Sequence, residues 1–322
     1  MSIFSTLNNR HFLRKCFRFD RKRHGRYACG DRCANANQYL GRIALKTHVL
    51  EKGLSMPNRR MGFGQKNVVE LVALCKGYAA AYGSVHPTFI QALQALAEYR
   101  QIHSEASFAL DTATDVALSE LFALYPTATP SEQPLVHGRQ AFFAATDSVF
   151  PSFSSSRHSL RSFGTAEVSL DAIKDAVALA QNAPSACNRQ ASRVHIVTDR
   201  KLVGKILALQ NGNRGFGDNA DKLLVLTVDL SFYGGARERN LAFLDSGIYA
   251  MNLLYALHYH TIGACPLNWC DSPRDDRRLR ALLPLEPAET VTLLIALGSV
   301  PDDDFRLALS RRLPAEQVMR IH

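Results

Sequence analysis

The chain has 322 residues, 47% of them hydrophobic, and a formal charge of +9. That length suits one large domain or two ordinary ones, and the composition is that of a globular protein. No apolar run approaches the roughly 20 residues a spanning helix needs, and the N-terminus lacks the apolar segment of a secretory signal.

The charge is unevenly placed. Arg10, Arg14, Lys15, Arg18, Arg21, Lys22, Arg23 and Arg26 face the single acid Asp20, so most of the excess sits in one short arm, within residues 1–33. Phe12, Leu13, Phe17 and Phe19 interleave with these cations and make the arm amphipathic. Such a segment is either a solvated tail or a peripheral contact, through residues 10–26, with an anionic membrane surface or an acidic polymer. No recognised nucleic-acid-binding motif accompanies it, so nucleic acid is not expected as a partner. The seven cysteines, at 16, 29, 33, 75, 187, 265 and 270, form no disulfide framework, which predicts a reducing, cytoplasmic setting. Cys29 and Cys33, with Cys16 and His24 nearby, lack the second paired half of a zinc site, and no metal is expected.

Residues 34–54 read as a helix, with Leu40, Ile43, Thr47, Leu50 and Leu54 at helical spacing. A loop follows, punctuated by Pro57, Gly62 and Gly64, and further helices are expected at about 67–82, 87–103 and 114–125. Within this helical region, 34–125, His48 and Glu51 lie three apart and form either a surface pair or a pocket lining. Four prolines and many Ser and Thr make 126–156 a linker or an irregular wrap. The remainder, 157–322, reads as a second domain.

That domain opens on Arg157-His158-Ser159-Leu160-Arg161-Ser162-Phe163, whose two guanidinium groups and hydroxyl suit a phosphate. An amphipathic helix over 168–182, capped by Ser169, runs into Ala183-Pro184-Ser185-Ala186-Cys187-Asn188-Arg189-Gln190. A strand at 193–198, a helix at 200–210 and the loop Asn211-Gly212-Asn213-Arg214-Gly215-Phe216-Gly217 lead to an apolar strand at 222–229. The glycines precede a strand instead of opening a helix, so they are no dinucleotide fingerprint. The longest helix, 239–261, carries Leu241, Leu244, Ile248, Met251, Leu254 and Leu257 on one stripe, with further apolar faces, and predicts an inter-subunit core. A Cys265-Pro266-Leu267 loop, a helix at 275–283, a strand at 289–297 and Arg311-Arg312 complete the chain. Cys187, Cys265 and Cys270 are expected to be small packed residues, and Trp269 is either structural or a pocket wall. Arg157/Arg161 and Arg311/Arg312 can converge on one phosphate, while the amides of 184–190 and 211–217 can line a flat heterocycle.

Five motifs, in order, resemble the FMN-dependent nitroreductases: Arg-His-Ser-x-Arg-x-Phe at 157–163, Ala-Pro-Ser-Ala-Cys-Asn-x-Gln at 183–190, Asp245-x-Gly247 with Met251-Asn252-Leu253-Leu254, Gly263-x-Cys265-Pro266-Leu267, and Arg312-x-Pro314. The resemblance covers about half the chain. It implies an α+β domain with a central, mostly antiparallel sheet flanked by helices, after a helical N-terminal region. It also implies a homodimer that binds FMN and takes hydride from NAD(P)H, NADPH included, for delivery to a small acceptor. Arg157, His158, Ser159, Arg161 and Arg312 would hold the phosphate and ribityl chain. Ser185, Asn188 and Gln190 would meet the ring, Asn213 and Arg214 its pyrimidine edge, and Pro266, Leu267 and Asn268 would pack on it from across the dimer. No side-chain acid or base is implied. The sequence departs from the family where Ala191-Ser192 replaces Pro-Trp and Ser310 replaces a lysine. Those departures motivate an alternative, a non-catalytic flavin-binding or scaffolding protein at a membrane-associated assembly. The stretch 48–54 with Gly62-Phe63-Gly64 resembles the leader of nitroreductase-like proteins in bacterial surface-polysaccharide loci.

Overall fold

The computed structural model describes residues 11–15, 17, 18, 20–22, 33–233, 236–269 and 272–322. Cys16, His24, Cys29 and Cys270, and the outer parts of the basic arm, lie outside them. Among the described residues no helix is long and apolar enough to cross a membrane. The chain divides into two compact units, Met1–Arg21 with Val136–Phe305, and Lys22–Leu135 with Arg306–His322.

The helical unit contains α1 (Ala36–Leu54), α2 (Gln65–Tyr82), α3 (Pro87–Glu105) and α4 (Thr112–Leu124). Side chains of Asn35, His86 and Asp111 cap α1, α3 and α4 by accepting backbone N–H bonds, which satisfies donors the helices leave orphaned. The apolar stripes meet in a core that includes Ile43, Leu50, Leu54, Leu71, Phe89, Leu96 and Tyr99. The loop after α1 is pinned to that core. Tyr99 donates its hydroxyl to the Phe63 carbonyl at 2.8 Å, and the two rings meet edge to face. Gly53 is required there, because a Cβ would stand 2.1 Å from the Phe63 ring. The Gly62 N–H donates to His103 Nε2 at 2.9 Å, so His103 Nδ1–H must donate to the Tyr99 carbonyl at 2.7 Å. Burial holds this imidazole neutral by lowering its pKa. Of the 48/51 pair, His48 is exposed, whereas Glu51 is buried and accepts from Gln91 Nε2 at 2.8 Å.

The unit boundaries differ from the sequence expectation at both ends. The stretch read as a linker contains α5 (Gly138–Phe142) and α6 (Phe150–Ser156), too short to show a period. The C-terminal segment, expected with the sheet, groups with the helical unit. There Leu309 N–H donates to Gln133 Oε1, Arg306 to the Gln133 carbonyl and Arg311 to Gln94 Oε1, acceptors no local pattern announces.

The sheet unit is built on four antiparallel strands, β1 (Ser192–Val197), β2 (Lys222–Asp229), β3 (Gly263–Asn268) and β4 (Glu289–Gly298), in the order β1-β2-β4-β3. Central β2 is buried along nearly its whole length, which is why it reads as a continuous apolar run. The segment expected as a Cys-Pro-Leu loop is instead the edge strand β3, with Pro266 opposite Ile295. An edge strand has one unpartnered side, so it tolerates the missing N–H that disguised it. Helices α7 (Leu170–Ala180), α8 (Arg200–Leu207), α9 (Leu241–Tyr259) and α10 (Pro273–Leu282) accompany the sheet. Ile173 and Ala176 of α7, Tyr249, Leu253 and Leu257 of α9, and Leu224 and Ile295 of the sheet share one core. The apolar stripe drawn on α9 from sequence is split: Leu254 and Leu257 are buried, but Leu244, Ile248 and Met251 are exposed.

A buried ion cluster anchors the start of β2. Asp221 accepts from the Val168 N–H at 2.8 Å and from Lys222 Nζ at 2.9 Å, while Arg200 reaches its other oxygen at 2.9 Å. Burial pushes the Asp221 carboxyl up, but these donors outweigh it and its pKa falls below the usual range. Replacing Asp221 with Ala leaves the Lys222 ammonium buried beside an orphaned N–H. Chemical denaturation is expected to show a loss of about 3–5 kcal/mol, whereas Glu167→Ala, at the exposed end of the cluster, changes stability by less than about 1 kcal/mol.

Candidate flavin site

The 157–163 segment runs extended along the sheet edge. The Leu160 N–H donates to the Ala264 carbonyl at 2.9 Å, and the Gly164 N–H to the Ser299 carbonyl at 2.9 Å. Leu160 and Phe163 are its buried anchors. A Cβ at Gly263 would collide with Leu160, and one at Gly298 with Phe163, so both glycines are there for close approach. Arg157, His158, Ser159 and Arg161 are left half-buried on the flank.

Behind them stands a residue that belongs to none of the sequence motifs. His258, on the last turns of α9, is buried among Phe142, Phe143 and Phe153. Ser156 gives its one hydroxyl proton to the Phe153 carbonyl at 2.8 Å, so its oxygen accepts from His258 Nε2–H at 2.8 Å. Burial, reinforced by the charges of Arg157 and His158, pushes the His258 pKa down to about 4. In sequence the residue showed only as His258-x-His260, a pair of positions that do not align on a helix.

The glycine loop lies beside this segment, with the Phe163 and Phe216 rings 6.2 Å apart. Its Asn213 does not present a side-chain donor to a ligand as expected. The Nδ2 group donates to the carbonyls of Leu207 and Gln210 and to Gln210 Oε1, closing the end of α8. The Asn213 Oδ1 occupies the place where a Cβ at Gly217 would stand, which explains that glycine. Buried Gln210, unmarked by any sequence signal, joins the pieces: Oε1 accepts from the Gly212 N–H, and Nε2 donates to the carbonyl and side chain of Asn268. Arg214 is exposed and makes no ion pair among the described residues. On β3, Pro266 is half-buried and Asn268 exposed, but Leu267 points to the other face and belongs to the core. Trp269 is half-buried just beyond. Arg312 belongs to the helical unit and donates to the Ser310 carbonyl.

The amide loop at 183–190 forms a second cluster. Cys187, Asn188 and Gln190 all have φ near +50°, a strained arrangement for residues with a Cβ. Cys187 is exposed here, not packed as its apolar character suggested; Cys265 is buried. Three contacts hold the strain. Ser185 Oγ accepts from the Gln190 N–H at 2.9 Å. The Ala186 N–H donates to both oxygens of buried Asp245 at 3.2 Å, and Tyr233 donates its hydroxyl to the same carboxylate at 2.9 Å. Arg189 forks onto Glu238 through two 2.7 Å bonds and lies over the Tyr233 ring. The partner carboxylate raises the Arg189 pKa further, fixing its charge. Exposed Gln190 donates through Nε2 to Asn188 Oδ1 at 3.1 Å. Asn188 Nδ2 and Gln190 Oε1 thus remain as one donor and one acceptor without a partner among the described residues.

The chain does not bring its two clusters together. Asp245 fixes the amide loop near the start of α9, and His258 marks the cationic cluster thirteen residues later. At 1.5 Å per residue these anchors are about 20 Å apart. The chain thus carries two candidate clusters at opposite ends of one helix.

A model of the nitroreductase family matches residues 155–211 and 204–299, just under half of the chain and wholly within the sheet unit. No curated protein matches. Among solved structures, a nitroreductase family protein from Streptococcus pneumoniae is 21% identical, with 54% of this chain and 100% of that one covered and a TM-score of 0.47. An FMN-dependent nitroreductase from Clostridium difficile is 19% identical, covering 53% of this chain and 98% of its own, with a TM-score of 0.45.

The depressed His258 pKa predicts a pH dependence. The unfolded chain takes up a proton near pH 6.5 while the folded chain resists until about pH 4, so stability is lost as pH falls through that window. Between pH 7 and 5 this group contributes about 2 kcal/mol of the loss. His258→Gln, which keeps the donor to Ser156, is expected to remove that share of the slope in denaturant titrations.

Proposed function

We propose that this chain is a flavin oxidoreductase that binds FMN between two copies and passes hydride from NAD(P)H to a small acceptor. The observation that carries the reading is the division of the site. Guanidinium groups and a hydroxyl suited to a phosphate lie at one end of α9, and an amide pair suited to the edge of a flat heterocycle lies at the other. A second copy related by two-fold symmetry can supply the missing half to each. The exposed apolar residues Phe243, Leu244, Ile248 and Met251 of α9 support such a pairing.

The residues present fit FMN in their donor chemistry. Arg157 and Arg161 would grip the phosphate through charge-assisted bonds, with Ser159 and His158 completing the donor set. Neutral His258 lies near Arg157 without adding a positive charge that would repel it. Asn188 and Gln190 of the other copy would offer their remaining donor and acceptor to the ring, held in register by the Asp245 and Arg189 contacts. Arg214 is the available cation for the pyrimidine edge, where it would stabilise developing negative charge. Bound FMN supplies the hydride chemistry itself. No side-chain acid or base is required.

Purified protein is expected to be yellow, to run as a dimer and to release FMN on denaturation, with the flavin bleached anaerobically by NADH or NADPH. Arg157→Ala and Arg161→Ala should each weaken FMN binding by roughly 10- to 100-fold, the range of a charged hydrogen bond. Leu244→Asp should lower both the oligomeric state and flavin retention. Colourless protein that takes up no FMN would remove the proposal. Bound FMN that neither nicotinamide reduces would favour a non-catalytic flavin-binding role.

A further inference from the structure

We infer that Gln210 is a positioning residue: it turns the Asn268 amide so that the N–H end, not the oxygen, is offered to a bound flavin. The inference rests on the flavin reading above and adds the residue that sets the polarity of this part of the site.

Gln210 is 5% exposed, and its amide is bonded at both ends. Oε1 accepts from the Gly212 N–H at 2.6 Å and from Asn213 Nδ2 at 3.1 Å. Nε2 donates to the Asn268 carbonyl at 3.2 Å and to Asn268 Oδ1 at 3.1 Å. The orientation is forced, since a backbone N–H only donates and a backbone carbonyl only accepts. A buried amide whose groups are met fixes direction in a way that an apolar side chain of similar size does not. Asn268 is oriented in turn. Its Oδ1 is taken by Gln210, while its Nδ2, on an exposed residue, makes no hydrogen bond among the described residues.

The other end of the Gln210 amide holds a cation-bearing turn. The Asn213 carbonyl accepts from the Phe216 N–H at 3.2 Å, and Gly215 has a φ of 89°, as a tight turn with Arg214 at its second position requires. Both ends of that turn are fixed, Asn213 by Gln210 and Phe216 by burial. One buried amide therefore ties together the segments that carry an exposed guanidinium and an exposed amide N–H group. Both are donors. Donors match a ring edge that bears carbonyl oxygens and gains negative charge on reduction, so they favour reduced flavin over oxidised.

Anaerobic titration of the full-length protein with oxidised and with reduced FMN tests this, read as the ratio of the two dissociation constants. Asn268→Ala and Gln210→Leu are each expected to lower the preference for reduced FMN about fivefold, the worth of one neutral hydrogen bond. The double variant should lower it no further. Affinity for oxidised FMN should change less, because Arg157 and Arg161 are untouched. Gln210→Leu orphans the Gly212 N–H, so Gln210→Glu serves as the second variant. It keeps that acceptor but draws Asn268 Nδ2 inward, and its effect should shrink in the Asn268→Ala background. Circular dichroism and melting confirm that each variant folds. Wild-type protein that takes up no FMN ends the flavin reading and this inference with it. If FMN binds and the preference for its reduced form survives both Gln210 variants, the inference alone fails. It fails equally if the Asn268 and Gln210 effects add, which marks general loosening. An undiminished Gln210→Glu effect without the Asn268 amide also overturns it, by identifying through-space charge.

Discussion

Helix α9 has to satisfy two demands at once. Its inner face buries Leu253 and Leu257 against β2 and β4, yet the helix also carries Asp245 and His258, on different sides and both buried. A buried carboxylate and a buried imidazole are tolerated only where their hydrogen-bonding groups are met. Asp245 is met by the Ala186 N–H and the Tyr233 hydroxyl, and His258 by Ser156. Ala186 lies in the amide loop and Ser156 immediately precedes the 157–163 segment, so polar positions on one helix set the placement of both candidate segments.

The two ends differ in how they resist disorder. At the cationic end an extended segment is locked by apolar anchors, Leu160 and Phe163, pressed into spaces that only Gly263 and Gly298 leave open. Its charged side chains need not fold the segment. At the amide end there is little apolar burial. Three left-handed residues are held by polar contacts instead, chiefly the Arg189–Glu238 fork and the Asp245 carboxylate. Strain of this kind persists only when its surroundings over-determine it, and it places amides where a relaxed loop would not.

Glu238 and Arg239 form the junction between that loop and the N-terminal arm. One side chain reaches to Arg189 and the next to Asp20. The helical unit solves a different problem. Its long loop is held by Tyr99 and His103 through directed hydrogen bonds, so the residues that looked most distinctive around Gly53 and Phe63 serve its own packing.

Local periodicity was enough to locate the four N-terminal helices, α7 with its Ser169 cap, and the strands β1, β2 and β4. Each depends on interactions within a few residues or on a run of apolar side chains. The resemblance at 157–163 and 183–190 also pointed to the two segments that carry the candidate chemistry. Sequence could not show that β3 is a strand, because Pro266 masks it and only the neighbouring β4 makes it one. Nor could it show that Asn213 closes its own loop, that Leu267 faces the core, or that Gln210 and His258 matter. The last three arise from partners dozens of residues away, and Asn213 turns inward onto Leu207 and Gln210 where its type alone suggested a ligand contact. The separation of the two clusters along α9 was likewise decided by tertiary structure, since distance between segments is set by the helix they share and not by their order in the chain.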